Sequence, residues 1–153
     1  LYNNGGIKAP QPCKMELALA EGENLLLVTS EKDFERLIAL VCEKKPFIPG
    51  LVRRHMARAA MARRNCIAGI FTQYQREIYG GLESVLDKLS QPVWVVWGTQ
   101  DRVLDVSSCE VMRPLLPSAE FDIMDDTGHL PMLERPKLCA QRYRGFLRRR
   151  AQG

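Results

Sequence analysis

The sequence has no run of about 18 apolar residues, so no segment of it reads as a membrane-crossing helix. No basic stretch followed by a short apolar run opens the chain, so no signal peptide is expected in it. There is no internal repeat, which excludes a solenoid. The five cysteines, Cys13, Cys42, Cys66, Cys109 and Cys139, are odd in number and scattered, with no C-x-x-C pair. That pattern speaks against both a disulfide framework and a zinc site. Reduced, mostly buried thiols are the expectation, which suits the cytoplasm. Charge of one sign is also scarce: 22 Lys and Arg against 18 Asp and Glu leave a net +4, too mild to require an acidic partner.

What is present fits a folded domain. The chain has 153 residues, with 46% hydrophobic and 26% charged residues, enough for one real core. It opens at Leu1 with "LYNNGGI", which reads as the end of a strand entering a turn and suggests a piece of a longer polypeptide. Three textures follow. Residues 1–13 finish that strand and run through Gly, Asn and Pro. Residues 14–90 are helical and rich in Arg, Lys and Ala. Residues 91–153 alternate strand, loop and helix.

In the middle region Phe34, Leu37, Ile38 and Val41 fall on one helix face. Ser30 and Asp33 resemble a capping box, Lys44 and Lys45 suit a last turn, and Pro46 is expected to stop the helix. A basic segment carries Arg53, Arg54, Arg58, Arg63 and Arg64. Ile67, Ile70, Phe71, Tyr74 and Ile78 form another face, ended by Gly80 and Gly81. A short helix through Leu82, Val85, Leu86 and Leu89 precedes Pro92.

The last region begins with "PVWVVWG", an apolar run of β-formers suited to a strand covered on both faces. "SSCEVMRPLL" predicts a short helix capped by Ser107 or Ser108, with Pro114 ending or bending it early. "AEFDIMD" predicts a second strand with Phe121 and Ile123 pointing one way. "ERPKLCAQRYRGFLRRR" predicts a closing helix with Pro136 near its start and Leu138, Cys139, Phe146 and Leu147 as its apolar stripe. Strand, helix, strand and helix in succession point to an α/β fold with a parallel sheet.

In such sheets, reactive groups sit in the loops beyond the carboxyl ends of strands. Asp101 follows the first strand and His129 the second, 28 residues apart, so neighbouring strands bring both loops to one edge. A carboxylate beside a histidine fixes the imidazole tautomer and stabilises the imidazolium formed when it takes a proton. A lone loop aspartate is more often a turn former, and a lone histidine a plain polar residue, so topology leaves both readings open.

The segments "WVVWGTQDRVLD" and "DDTGHLPMLERP" resemble the acid and histidine motifs of the α/β-hydrolases, W-G-x-x-D-x-v and G-H-x-P-x-x-E-x-P. "NNGGI" is similar to the family's segment after the sixth strand, and the helical middle to the cap inserted there. The nearest likeness is to the lipase, esterase and monoacylglycerol-lipase branch. The resemblance implies the C-terminal part of a parallel hydrolase sheet with an inserted helical cap. It assigns Asp101 as the triad acid and His129 as the base. Asp105 is the rival acid, set second because the motif places the acid directly after "WGTQ". Gly128 would give the turn room, and Pro131, Glu134 and Pro136 would organise the loop. Val103, Leu130 and Phe71 are candidate substrate contacts, and Phe47, Ile48 and Ile70 could also line an acyl pocket.

One departure is large. No serine before Asp101 sits in a G-x-S-x-G elbow: Ser30, Ser84 and Ser90 all lack that setting, and Cys66 follows arginines within a helical pattern. The oxyanion-hole loop is absent too. The expectation is therefore a serine ester hydrolase whose nucleophile and N-terminal half lie upstream. Without them this chain is expected to be inactive. The substrate is a small ester, and neither a metal nor an organic cofactor is implied. Epoxide, haloalkane or carbon–carbon bond hydrolysis, or a non-catalytic binding module, are the alternatives. The basic helix reads as a solvated face, with contact to an anionic membrane surface second and nucleic acid, which is not expected, third. His55 reads as plain surface.

Overall fold

A computed structural model describes residues 1–77 and 81–151, with the Glu77 side chain left out. Ile78 and Gly80, assigned above to a helix face and its end, lie outside the described residues.

Two strands form the centre. Strand β1, Trp94–Gly98, pairs in parallel with β2, Glu120–Met124, in a register running from Trp94 opposite Glu120 to Gly98 opposite Met124. On the other side of β1, Tyr2 forms a parallel bridge to Val96. The Asn3 amide donates to the Val96 carbonyl at 3.0 Å, and the Val96 amide donates to Leu1 at 2.8 Å. The opening residues are therefore a third, very short line of the same sheet.

Alternation along β1 sends its side chains to two cores. Val95 and Trp97 join Ile7, Leu86, Cys109, Met112 and Leu116 on one face, with Phe121 and Ile123 of β2 packed alongside. Trp94 and Val96 join Met124, Cys139 and Phe146 on the other. All five residues of β1 are buried, as its continuous apolar run predicts. Helix α6, Ser108–Leu115, supplies the first face, and α8, Pro136–Ala151, the second. Trp94 stacks against Tyr143 and Phe146 of α8, with ring centroids 5.9 and 6.0 Å away.

The region ahead of β1 is helical: α1 at Lys14–Ala20, α2 at Glu31–Val41, α3 at Gly50–Ala62, α4 at Arg64–Glu77 and a single turn, α5, at Glu83–Leu86. Phe34 with Val28 and Ala57 forms one small core between α2 and α3, and Cys13, Met15 and Leu40 form another beside α1. Helix α5 packs by Leu86 into the sheet's first core.

Several local expectations change. Helix α2 stops at Val41 instead of running on to Lys44 and Lys45, because the Glu43 and Lys44 amides turn away to a carboxylate of the final region, described below. Ser30 caps α2 by accepting from the Asp33 amide at 3.1 Å. Asp33 answers to the Thr29 amide and hydroxyl rather than to Ser30, so the box is displaced by one residue. Neither Ser107 nor Ser108 caps α6 with its side chain; Asp105 accepts from the Ser107 amide at 2.9 Å in that role. Pro114 lies in the last turn of α6, where only its bond to the Glu110 carbonyl is lost, and the helix ends one residue later. Leu147, placed in the apolar stripe of α8, is 47% exposed and outside the core, while Tyr143, also exposed at its edge, stacks on Trp94.

Candidate active site

The site lies beyond the carboxyl ends of both strands. The loop after β1 presents Asp101, and the loop after β2 presents His129. His129 Nδ1 and Asp101 Oδ2 are 2.9 Å apart. Asp101 also accepts through Oδ1 from the backbone amides of Val103 and Leu104, at 2.8 and 3.0 Å. The Asn3 side-chain amide donates to Oδ2 at 2.5 Å. A buried carboxylate is tolerated only when its lone pairs are occupied. Here the Asp101 side chain is fully enclosed, and each oxygen has two partners. With Nδ1 engaged, Nε2 is the ring nitrogen free for proton transfer, and the His129 side chain is 22% exposed.

Backbone contact explains the motif glycines. A Cβ on Gly98 would lie 2.2 Å from the Thr127 carbonyl oxygen and 2.3 Å from that of Gly128. Only a residue without a side chain lets the histidine loop press onto the end of β1, and the Gln100 amide then donates to Thr127 at 2.9 Å. A Cβ on Gly128 would meet the Glu43 amide nitrogen at 2.8 Å and Glu134 Oε1 at 2.9 Å. Glu134 itself starts from the short helix α7, Pro131–Glu134. Its Oε1 accepts from the Gly128 amide at 2.9 Å, and its Oε2 from the amides of Glu43 and Lys44 at 3.0 and 2.8 Å. One carboxylate thereby ties the histidine loop to the end of α2. Arg102 makes a second tie, donating to the Ala39 carbonyl at 3.1 Å and pairing with Glu43.

His129 opens into a mostly apolar cavity of about 930 Å³, bounded by Asn3, Met15, Leu26, Ile70, Phe71 and Val103 among others. Two of the three proposed substrate contacts, Phe71 and Val103, are on its wall. Leu130 is not; it occupies the N-cap of α7. Ile70 is on the wall too. Phe47 and Ile48 line a separate cavity of about 410 Å³ beside Phe34 and Arg53, so they form no part of this pocket. Asp105, the rival acid, is engaged in its turn with Ser107.

Several polar groups at the site were not identified from the sequence, Asn3 and Tyr74 among them. Asn3 reaches Asp101 across 98 residues, and its backbone has φ 38°, a left-handed conformation that asparagine accepts more readily than most residues. The local signal was the "NNGG" turn; the partner was invisible. Tyr74, read as part of an apolar helix face, brings its hydroxyl to the cavity wall, where it accepts from the Gly6 amide at 2.9 Å.

The thiols offer no substitute nucleophile at this site. Burial pushes Cys13, Cys42 and Cys109 up to about 11, so each stays protonated at neutral pH. Cys66 is exposed on α4 and is not on the cavity wall. Among the described residues, no cluster of three or more His, Cys, Asp or Glu could hold a metal ion, and no helix is long and apolar enough to cross a membrane.

The known proteins similar to this chain are lipases and a phospholipase. No protein-family model matches the chain. Lipase 3 of Moraxella sp. (strain TA144) is 30% identical over 135 residues, covering 88% of this chain and 42% of the relative. Monoacylglycerol lipase ABHD6 of Mus musculus is 32% identical over 66 residues, 43% of this chain and 20% of the relative. A solved membrane phospholipase A, described as a bacterial virulence factor, superposes with a TM-score of 0.92 at 39% identity, covering 96% of this chain and 47% of that one. The chain spans less than half the length of these relatives.

Proposed function

From its relationship to the lipases and esterases of the α/β-hydrolase fold, whose C-terminal part it matches, we propose that this chain carries the acid and base of a serine hydrolase that cleaves carboxylic esters. The observation that carries the reading is the enclosed Asp101 carboxylate, held by three donors and joined to His129 Nδ1 at 2.9 Å, beside a mostly apolar cavity. The nucleophilic serine and the oxyanion hole lie upstream of Leu1.

In the complete enzyme the serine hydroxyl attacks the ester carbonyl while His129 Nε2 takes its proton. The tetrahedral intermediate collapses to an acyl-enzyme, and the imidazolium hands the proton to the departing alcohol. Water repeats the sequence to release the acid. Asp101 keeps the imidazole in the tautomer with hydrogen on Nδ1 and stabilises the positive charge in transit. The apolar wall bearing Phe71 and Val103 receives an acyl chain. The names of the relatives point to acylglycerols or related acylated lipids as the ester class.

The reading is tested in the polypeptide that includes the upstream sequence. That sequence is expected to contain a G-x-S-x-G between a strand and a helix. His129→Ala and Asp101→Asn should each lower monoacylglycerol turnover by about three to four orders of magnitude, and Asp105→Asn by little. Equal losses at Asp101 and Asp105 would refute the assignment of the acid. Residues 1–153 alone should not turn over esters.

A further inference from the structure

We infer that the face made by the connector between α2 and α3, together with the outer side of α3, docks onto an anionic lipid bilayer. Charge is distributed very unevenly in this molecule. Residues 44–76 contain eight Lys and Arg and no Asp or Glu, in a chain whose net charge is only +4, so the remainder is net negative. Arg53 of this stretch is paired with Glu35 at 3.0 Å. Arg54, Arg58, Arg63 and Arg64 are exposed and, among the described residues, have no carboxylate partner.

The same face displays large apolar side chains to solvent. Phe47 is 92% exposed, Leu51 76%, Val52 47% and Met56 41%. Only Ala57 of α3 is buried, in the small core beneath. Phosphate-rich nucleic acid would satisfy the arginines but leave Phe47 and Leu51 against a hydrophilic backbone. A second copy of the chain would set like charges against each other. A bilayer surface satisfies both halves: apolar side chains enter the acyl boundary while arginines lie at headgroup phosphates with their stems along the interface. At 13 residues α3 is too short to cross a bilayer and would lie in its plane. Only Arg63 separates α3 from α4, whose Ile70 and Phe71 wall the His129 cavity, so the docking face and the cavity share one helical pair.

The inference does not depend on ester hydrolysis, and the test keeps the two apart. The polypeptide that includes the upstream sequence is sedimented with vesicles of phosphatidylcholine alone and of phosphatidylcholine with phosphatidylglycerol. Retention on the anionic vesicles, weakening with added salt, is expected. Arg54→Gln with Arg58→Gln, and separately Phe47→Ser with Leu51→Ser, should each cut partitioning by about tenfold or more. All four positions are exposed, so both variants should melt as the parent does. His129→Ala should bind vesicles normally. Three results would overturn the proposal: no retention on anionic vesicles, retention unchanged by the Phe47 and Leu51 substitutions, or a solution dimer that those substitutions dissolve.

Discussion

At the scale of single residues, the candidate site depends on how completely one carboxylate is enclosed. Asp101 has both oxygens occupied, and Asn3 is the one partner that neither the acid loop nor the histidine loop provides. Asn3→Asp keeps side-chain size and tolerance of a left-handed backbone but sets a carboxylate against Asp101. Asn3→Gly keeps the backbone freedom and removes the donor. Under the proposed function, both variants should reduce ester turnover of the longer polypeptide by roughly tenfold to a hundredfold, chiefly in kcat, because a loosened acid would misorient the base. A fully active Asn3→Gly enzyme would show that Asn3 shapes the turn and nothing more. The pairing of Asp101 with His129 was legible in the sequence because each sits in a short motif directly after a strand. Asn3 was not, because its function depends on a parallel pairing that brings Leu1–Asn3 beside β1, and no local pattern encodes a partner 98 residues away.

At the scale of elements, strands and helices were easier to read than their ends. Apolar runs, periodic faces and cap residues mark the elements, and β1, β2, α6 and α8 all lie where those signals put them. The ends were set by tertiary hydrogen bonds. Helix α2 stops where Glu134 captures the next amides, and Asp105 takes over the cap of α6. The pocket was half legible for the same reason: Phe71 and Val103 reach it, while Leu130 is committed to starting α7 and Phe47 faces outward. Glu134 therefore works as a staple between two regions. Glu134→Ala would leave the amides of Gly128, Glu43 and Lys44 without their acceptor. It should cost about 1–3 kcal/mol, read as a lower urea midpoint with the slope retained. A midpoint equal to that of the parent would mean that water replaces the carboxylate at no cost.

At the scale of the whole molecule, the buried thiols give stability a defined alkaline limit. Burial raises Cys13, Cys42 and Cys109 from an ordinary 9.0 to about 11. An unfolded chain ionises them near the lower value, whereas the folded chain keeps its protons. Between those values the unfolded state binds fewer protons, so stability is whole below about pH 9 and drains away as pH rises to about 11. Melting temperatures across that interval should fall, and Cys42→Ala should flatten the slope. A slope unaffected by that substitution would place the loss elsewhere.

The alternation of β1 has an optical consequence. Trp94 and Trp97 are the only tryptophans of the chain, and they stand on opposite faces of one strand. One indole is stacked on the rings of α8; the other donates through Nε1 to the Leu104 carbonyl at 3.0 Å, within the loop that presents Asp101. Intrinsic emission is thus the sum of two reporters in different surroundings. Replacing either indole with phenylalanine isolates the signal of one half of the core, and the Trp97 signal carries news of the acid loop as well.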